Sequence, residues 1–216
     1  MPRPMRIDFV SDISCPWCAI GLHGLEQALA RTGDLIDAKI HFQPFELNPD
    51  MAPEGEVLAD HIARKYGSSH ADVANNLETI RSRAAAVGFA INRSVDDRIY
   101  NTFDAHRLLH WAAEEGRQAP LKHALFEAYF GQGRAPSDHA VLIAAAEAAG
   151  LDAGAAQDVL ASGRYGEEVR HAQQSWRTLG INSVPAIIVD QTYLISGGQP
   201  PEAFEQALRQ IVAQAA

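Results

Sequence analysis

The spacing of apolar and polar residues changes character twice along this chain. Arg6–Val10 is a short, largely apolar run that predicts a strand. Ala38–Phe45 predicts a second, because Ile40 and Phe42 alternate with Lys39, His41 and Gln43. Pro44 ends ladder pairing there. Pro16–Arg31, between them, predicts a helix, so the N-terminal unit is β-α-β. From about Pro53 to Leu179 the chain is rich in Ala, Glu, Arg and Leu and shows no convincing strand. Helices are predicted over Glu56–Tyr66, His70–Val87, Asp97–Glu115, Pro120–Phe130, Asp138–Ala149, Ala153–Ala161 and Tyr165–Leu179. Glycines such as Gly67, Gly88 and Gly163 follow their ends. Strand signal returns at Pro185–Val189, turns at Asp190–Thr192, and resumes at Tyr193–Ile195. Pro200-Pro201 then opens a last helix to about Ala213.

The two ends thus supply β-α-β and β-β-α, and neither can bury both faces of a sheet alone. The economical reading is one α/β domain, residues 1–52 and 180–216, interrupted by a helical insertion domain, residues 53–179.

Composition narrows the partners. Of 216 residues, 47% are hydrophobic and 21% charged, as in soluble globular chains, and the net charge is −9. That balance argues against nucleic acid and anionic membrane as partners, since phosphates call for basic neutralisation. The chain carries no apolar run long enough to span a bilayer and no apolar signal region before the first strand, so the expected location is cytoplasmic.

Both cysteines of the chain fall within Cys15-Pro16-Trp17-Cys18, between the first strand and the first helix. In a reducing compartment such a pair seldom acts as a structural staple. Thiol–disulfide exchange requires a thiolate. Cys15 falls at the expected N-cap, where its sulfur can accept hydrogen bonds from the N–H of Trp17 or Cys18. The helix dipole adds about 0.3–2 kcal/mol in favour of negative charge. Cys18 lies one turn further on, within disulfide reach and more buried. The asymmetry assigns Cys15 as the exposed attacking sulfur and Cys18 as the resolving one. Pro16 suits the first helical position, and Trp17 offers a flat apolar surface to an incoming chain. The rival readings are half of a zinc site and two inert core thiols. A structural zinc needs about four ligands, and none of the nine histidines forms a tight pair with the motif. Ala19 in place of His excludes haem attachment.

The chain resembles the thioredoxin superfamily, and within it the DsbA branch with a helical insertion, close to the cytoplasmic FrnE-like oxidoreductases. The stretches that carry the resemblance are Asp12–Gly21, Phe45–Met51, Asn101–Leu108, Leu179–Pro185 and Ile195–Pro200. Ser183 stands where many relatives carry Gly. The resemblance implies a thioredoxin-like fold with a large all-α insertion and a cis bond before Pro185, which would lie beside Cys15 and Cys18. It also implies a Val184 backbone free to pair with an extended substrate. It further implies protein or small-molecule thiol and disulfide substrates, a recycling partner in the glutathione or thioredoxin system, and no bound cofactor, with glutathione as a candidate co-substrate. Related 2-hydroxychromene-2-carboxylate isomerases and kappa-class glutathione transferases share the architecture but carry Ser at the position of Cys15. A glutathione-dependent isomerase or transferase is therefore the first rival function. A holdase using the helical domain as an apolar groove is the second.

For the remaining residues the bland roles are expected. Asp12 shapes the turn before the helix rather than moving protons. His106 and Arg107 pack or face solvent. Trp111 and Trp176 belong to the core. Gly197-Gly198 either forms a tight turn or lies against the cysteine site.

Overall fold

The computed structural model describes residues 1–214. Its main sheet has four strands in the order β2 (Ile36–Pro44), β1 (Arg3–Ser11), β5 (Ala186–Val189) and β6 (Tyr193–Ser196). β1 runs parallel to β2 and antiparallel to β5, and β5 and β6 form the expected hairpin. The register sets Ile7 opposite Ile40 and Phe9 opposite Phe42, so the apolar positions of both strands reach the same face. There the Phe9 and Phe42 rings meet edge to face at 5.9 Å. α1 (Pro16–Arg31) and α9 (Pro201–Gln214) pack together beside the sheet. Val10 points the other way, into a smaller cluster with Phe45, Ile181 and Ala186, against which Trp176 packs.

The helical region runs α2 (Leu58–Tyr66), α3 (His70–Ala86), α4 (Phe103–Glu114), α5 (Gln118–Phe126), α6 (His139–Ala148), α7 (Ala153–Ser162) and α8 (Gly166–Thr178). α2 ends on Gly67 in the left-handed region, φ 71°. α3 opens with a capping box between Ser69 and Asp72. Ile80, Leu108, Leu125 and Phe126 of this region share one buried apolar cluster with Ile7, Phe9 and Leu22.

Local chemistry moves three boundaries. Arg98–Ile99 (β4), expected as the start of a helix, instead pairs antiparallel with Glu56–Val57 (β3). The Arg98 guanidinium, held on the carbonyls of Glu54 and Gly55, fixes that ladder, and α4 begins only at Phe103. α5 starts two residues early because the Gln118 side chain pairs with both the N–H and the carbonyl of Phe42. Pro120 then sits in the first turn, where no N–H is needed. α5 widens into a π turn over Glu127–Gly131.

Candidate functional site

Cys15 is the N-cap of α1, in extended backbone geometry, and Pro16 occupies the first helical turn. The Val184–Pro185 peptide is cis, and it brings the Val184 carbonyl to 3.7 Å from the Cys15 Sγ, whose S–H donates to it. Two glycines of α1 allow this approach. A Cβ on Gly21 would lie 3.2 Å from the Pro185 ring and 3.1 Å from the Gly198 backbone. A Cβ on Gly24 would meet the Gln199 carbonyl at 2.8 Å. Gly197 makes a turn at φ 81°, while a Cβ on Gly198 would strike the Trp17 carbonyl at 2.6 Å. Both expectations for Gly197-Gly198 therefore hold, one at each residue.

One expectation for Cys15 fails. An exposed sulfur receiving backbone hydrogen bonds was expected. Cys15 is instead 3% exposed and makes no side-chain cap bond. As a neutral thiol it spends its hydrogen on Val184, and it belongs to the main apolar cluster. Both cysteines are unpaired thiols. Cys18 is fully buried, and burial, with the hydrogen bond and charge of Cys15, pushes its thiol well above the ordinary range.

Beneath the motif lies a polar group that spans distant parts of the chain. Asp12 is 1% exposed. One of its carboxylate oxygens accepts from the Ser14 N–H at 3.2 Å and the Thr102 hydroxyl at 2.7 Å. The other accepts from the Ser14 hydroxyl at 2.9 Å and the Leu47 N–H at 2.8 Å. Burial raises its pKa, but His106 and these hydrogen bonds outweigh it and hold the carboxyl down at about 2. Asp12 thus shapes the turn, as expected. It also ties that turn to the chain after β2 and to the N-cap of α4. His106 is buried as well, its Nε2 3.7 Å from Asp12.

Sequence reasoning missed Lys122. The α5 face that carries it is fixed on two sides. Gln118, one turn earlier, holds β2, and the neighbouring His123 holds Glu26 of α1 at 2.8 Å. Lys122 is therefore driven into the seam between them and is fully buried. Its Nζ lies 4.8 Å from the Phe126 ring and 5.9 Å from the Phe42 ring, and it has no hydrogen-bond partner among the described residues. Burial lowers its pKa from 10.5 to about 8, against the opposing charges of Cys18, Asp12 and Cys15. The signal available beforehand was a lone cation flanked by Leu121, Leu125 and Phe126 on an apolar helix.

The structure gathers Cys15, Cys18, Pro16, Trp17, Val184 and Pro185 at the N-terminus of α1. Among the described residues, no group of three His, Cys, Asp or Glu side chains is placed to hold a metal ion. No helix among them is long and apolar enough to cross a membrane.

Comparison with known proteins follows the same lines. A probable DsbA oxidoreductase from Streptomyces coelicolor has a TM-score of 0.89 at 37% identity, over 95% of this chain and 89% of that one. A 2-hydroxychromene-2-carboxylate isomerase superposes at 0.73 and 18% identity, over 97% of both chains. The cytosolic disulfide reductase DsbM of Pseudomonas aeruginosa, in a structure with glutathione, superposes at 0.64 and 16%, over 96% of this chain and 99% of that one. The last two share the fold. The family model described as the DsbA-like thioredoxin domain matches residues 6–209, and the chain belongs to that family.

Proposed function

We propose that this protein is a cytoplasmic thiol–disulfide oxidoreductase that cycles Cys15 and Cys18 between dithiol and disulfide. The observation that carries the reading is the asymmetry of the pair. Cys15 meets a carbonyl of the cis-proline loop, while Cys18 is fully buried with its ionisation suppressed. Cys15 attacks a substrate disulfide and forms a mixed disulfide, and Cys18 displaces the substrate. An incoming chain has to break the Cys15–Val184 contact, and an extended segment pairing with Val184 would do so. Trp17 and Pro16 flank the entry. The reading assigns the exchange site to residues 1–52 and 180–216 and treats residues 53–179 as an inserted helical domain. The reaction needs no bound cofactor. Glutathione is the natural small co-substrate and, with the thioredoxin system, a candidate recycling partner. Net direction follows the redox poise of the compartment.

Insulin reduction by the wild type and by Cys15→Ser tests the reading. Activity lost in the variant supports it, and equal rates defeat it. Cys18→Ser should accumulate mixed disulfides formed when Cys15 attacks a substrate disulfide and one substrate sulfur leaves as thiolate. An isomerase or transferase that used glutathione without a dithiol would instead keep its activity in Cys18→Ser.

A further inference from the structure

A groove of about 300 Å³ leads away from the cysteine motif along α1. Its floor is one face of that helix, carrying Trp17, Ile20, Gln27 and Arg31. One wall is the loop from Gly198 to Pro201, which starts beside the cis-proline: a Cβ on Gly21 would touch both the Pro185 ring and the Gly198 backbone. The other wall is the C-terminal end of α3, from Arg83 to Val87, and belongs to the helical insertion. α3 lies antiparallel to α1 here. The Phe89 ring stacks on His23 at 4.8 Å, and the Gln27 Nε2 donates to the Val87 carbonyl at 2.9 Å. Arg83, one turn before Val87, is therefore level with Arg31, one turn after Gln27.

The two arginines at this far end differ. Arg31 is already neutralised, at 3.0 Å from Glu202 and 3.6 Å from Glu205. On α3, Arg81 is paired with Glu78. Arg83 is exposed, lines the groove and has no ion-pair partner among the described residues. On a chain of net charge −9, the groove thus ends on an unneutralised cation whose natural complement is a carboxylate.

We propose that this groove holds an extended segment of a protein substrate and that Arg83 selects an acidic side chain on it. The proposal rests on the dithiol function above and adds a substrate class to it. From Trp17 to Arg31 the helix rises about 21 Å, at about 1.5 Å per residue. An extended chain covers that length in about six residues, so the acidic side chain stands about six residues from the reacting cysteine. Glutathione, a tripeptide, spans at most about 11 Å and stops well short of Arg83. The helical insertion therefore contributes to the choice of protein substrate but not to the reaction with small disulfides.

Synthetic peptides with one central cysteine, held as its disulfide with thionitrobenzoate, test this with reduced protein in excess. The Cys15 thiolate attacks the peptide sulfur, a Cys15–peptide disulfide forms, and thionitrobenzoate leaves with the electron pair as a coloured thiolate. One peptide carries Glu six residues before the cysteine, another six residues after it, and a reference carries Gln at both places. At low salt one of the two Glu peptides should react about two- to five-fold faster than the reference, the scale of an exposed ion pair, and high salt should remove the advantage. Arg83→Gln should erase the preference, and Arg83→Glu should transfer it to a Lys peptide of the same design. Oxidised glutathione should react at the same rate with all three proteins. Equal rates for all peptides with the wild type, a preference that survives in Arg83→Gln, or a glutathione rate that falls with the peptide rates overturns the proposal. A wild type that reacts with neither the peptides nor oxidised glutathione defeats the dithiol function and the groove with it, whereas equal peptide rates defeat the groove alone.

Discussion

Replacing Asp12 with Asn isolates the charge of a buried carboxylate while keeping its shape. Four donors converge on Asp12, and two of them, the N–H groups of Ser14 and Leu47, cannot reverse polarity. They approach different oxygens. Whichever way the Asn amide is turned, one backbone N–H faces an NH₂ group and is orphaned. Losing a hydrogen bond to a charged acceptor costs about 1.5–3 kcal/mol, and an orphaned buried donor adds about 1–3 kcal/mol, so about 3 kcal/mol or more should be lost at neutral pH. The acid limb gives an independent figure. A carboxyl lowered from 3.8 to about 2 stabilises the native state by about 2.4 kcal/mol above its unfolded pKa. Because the shift is downward, this stability is complete above about pH 4 and disappears as the pH falls towards 2. Urea unfolding of wild type and Asp12→Asn between pH 7 and pH 2.5 measures both quantities. The expected result is a gap of about 3 kcal/mol at pH 7 that narrows by about 2 kcal/mol on acidification, with an unchanged m-value. A neutral-pH loss below about 1 kcal/mol, or a gap constant with pH, would refute the claim that Asp12 is a buried, ionised clamp.

Two further outcomes follow from the packing. Gly198→Ala should destabilise the protein by about 1–3 kcal/mol and lower insulin reduction, because the new Cβ meets the Trp17 carbonyl, which is backbone; thermal unfolding and the turnover assay check both. Lys122→Met should stabilise the protein at pH 7 by up to about 3 kcal/mol, since an amine held at about 8 instead of 10.5 resists charging by that amount. Between pH 8 and 10.5 the unfolded wild type binds more protons than the native state, so wild-type stability rises through that window and the gap to Lys122→Met closes. Urea unfolding of wild type and Lys122→Met from pH 7 to 11 measures this, and a gap that stays constant across the window would contradict it.

Lys122 stays in the core although its amine has no hydrogen-bond partner among the described residues. The hydrophobic interior would be more stable without this charge, and burying it uncompensated is costly. The same burial lowers the pKa into a range where the amine can exchange protons at neutral pH.

Local pattern was enough to place most elements. The alternation around Ile40 and Phe42, the apolar run before Cys15 and the helix-ending glycines each express a preference that neighbouring residues settle among themselves. The clustering of Cys15 and Cys18 on one helical turn is equally local. The sequence resemblance located Val184 and Pro185, which lie 169 residues or more from Cys15. β3 and β4 escaped notice because two-residue strands carry no periodicity, and their pairing depends on Arg98 reaching carbonyls more than 40 residues away.

The chain by itself determined the number and order of the long strands and helices, which residues carry sulfur, and that the two thiols share a helical turn, because these follow from spacing along the backbone. Only the tertiary structure decided that Cys15 is covered, that Asp12 is a buried anion, and that Lys122 is buried against the Phe42 and Phe126 rings. Exposure and ionisation depend on which distant groups displace water from a side chain, and that is fixed by packing rather than by the order of residues.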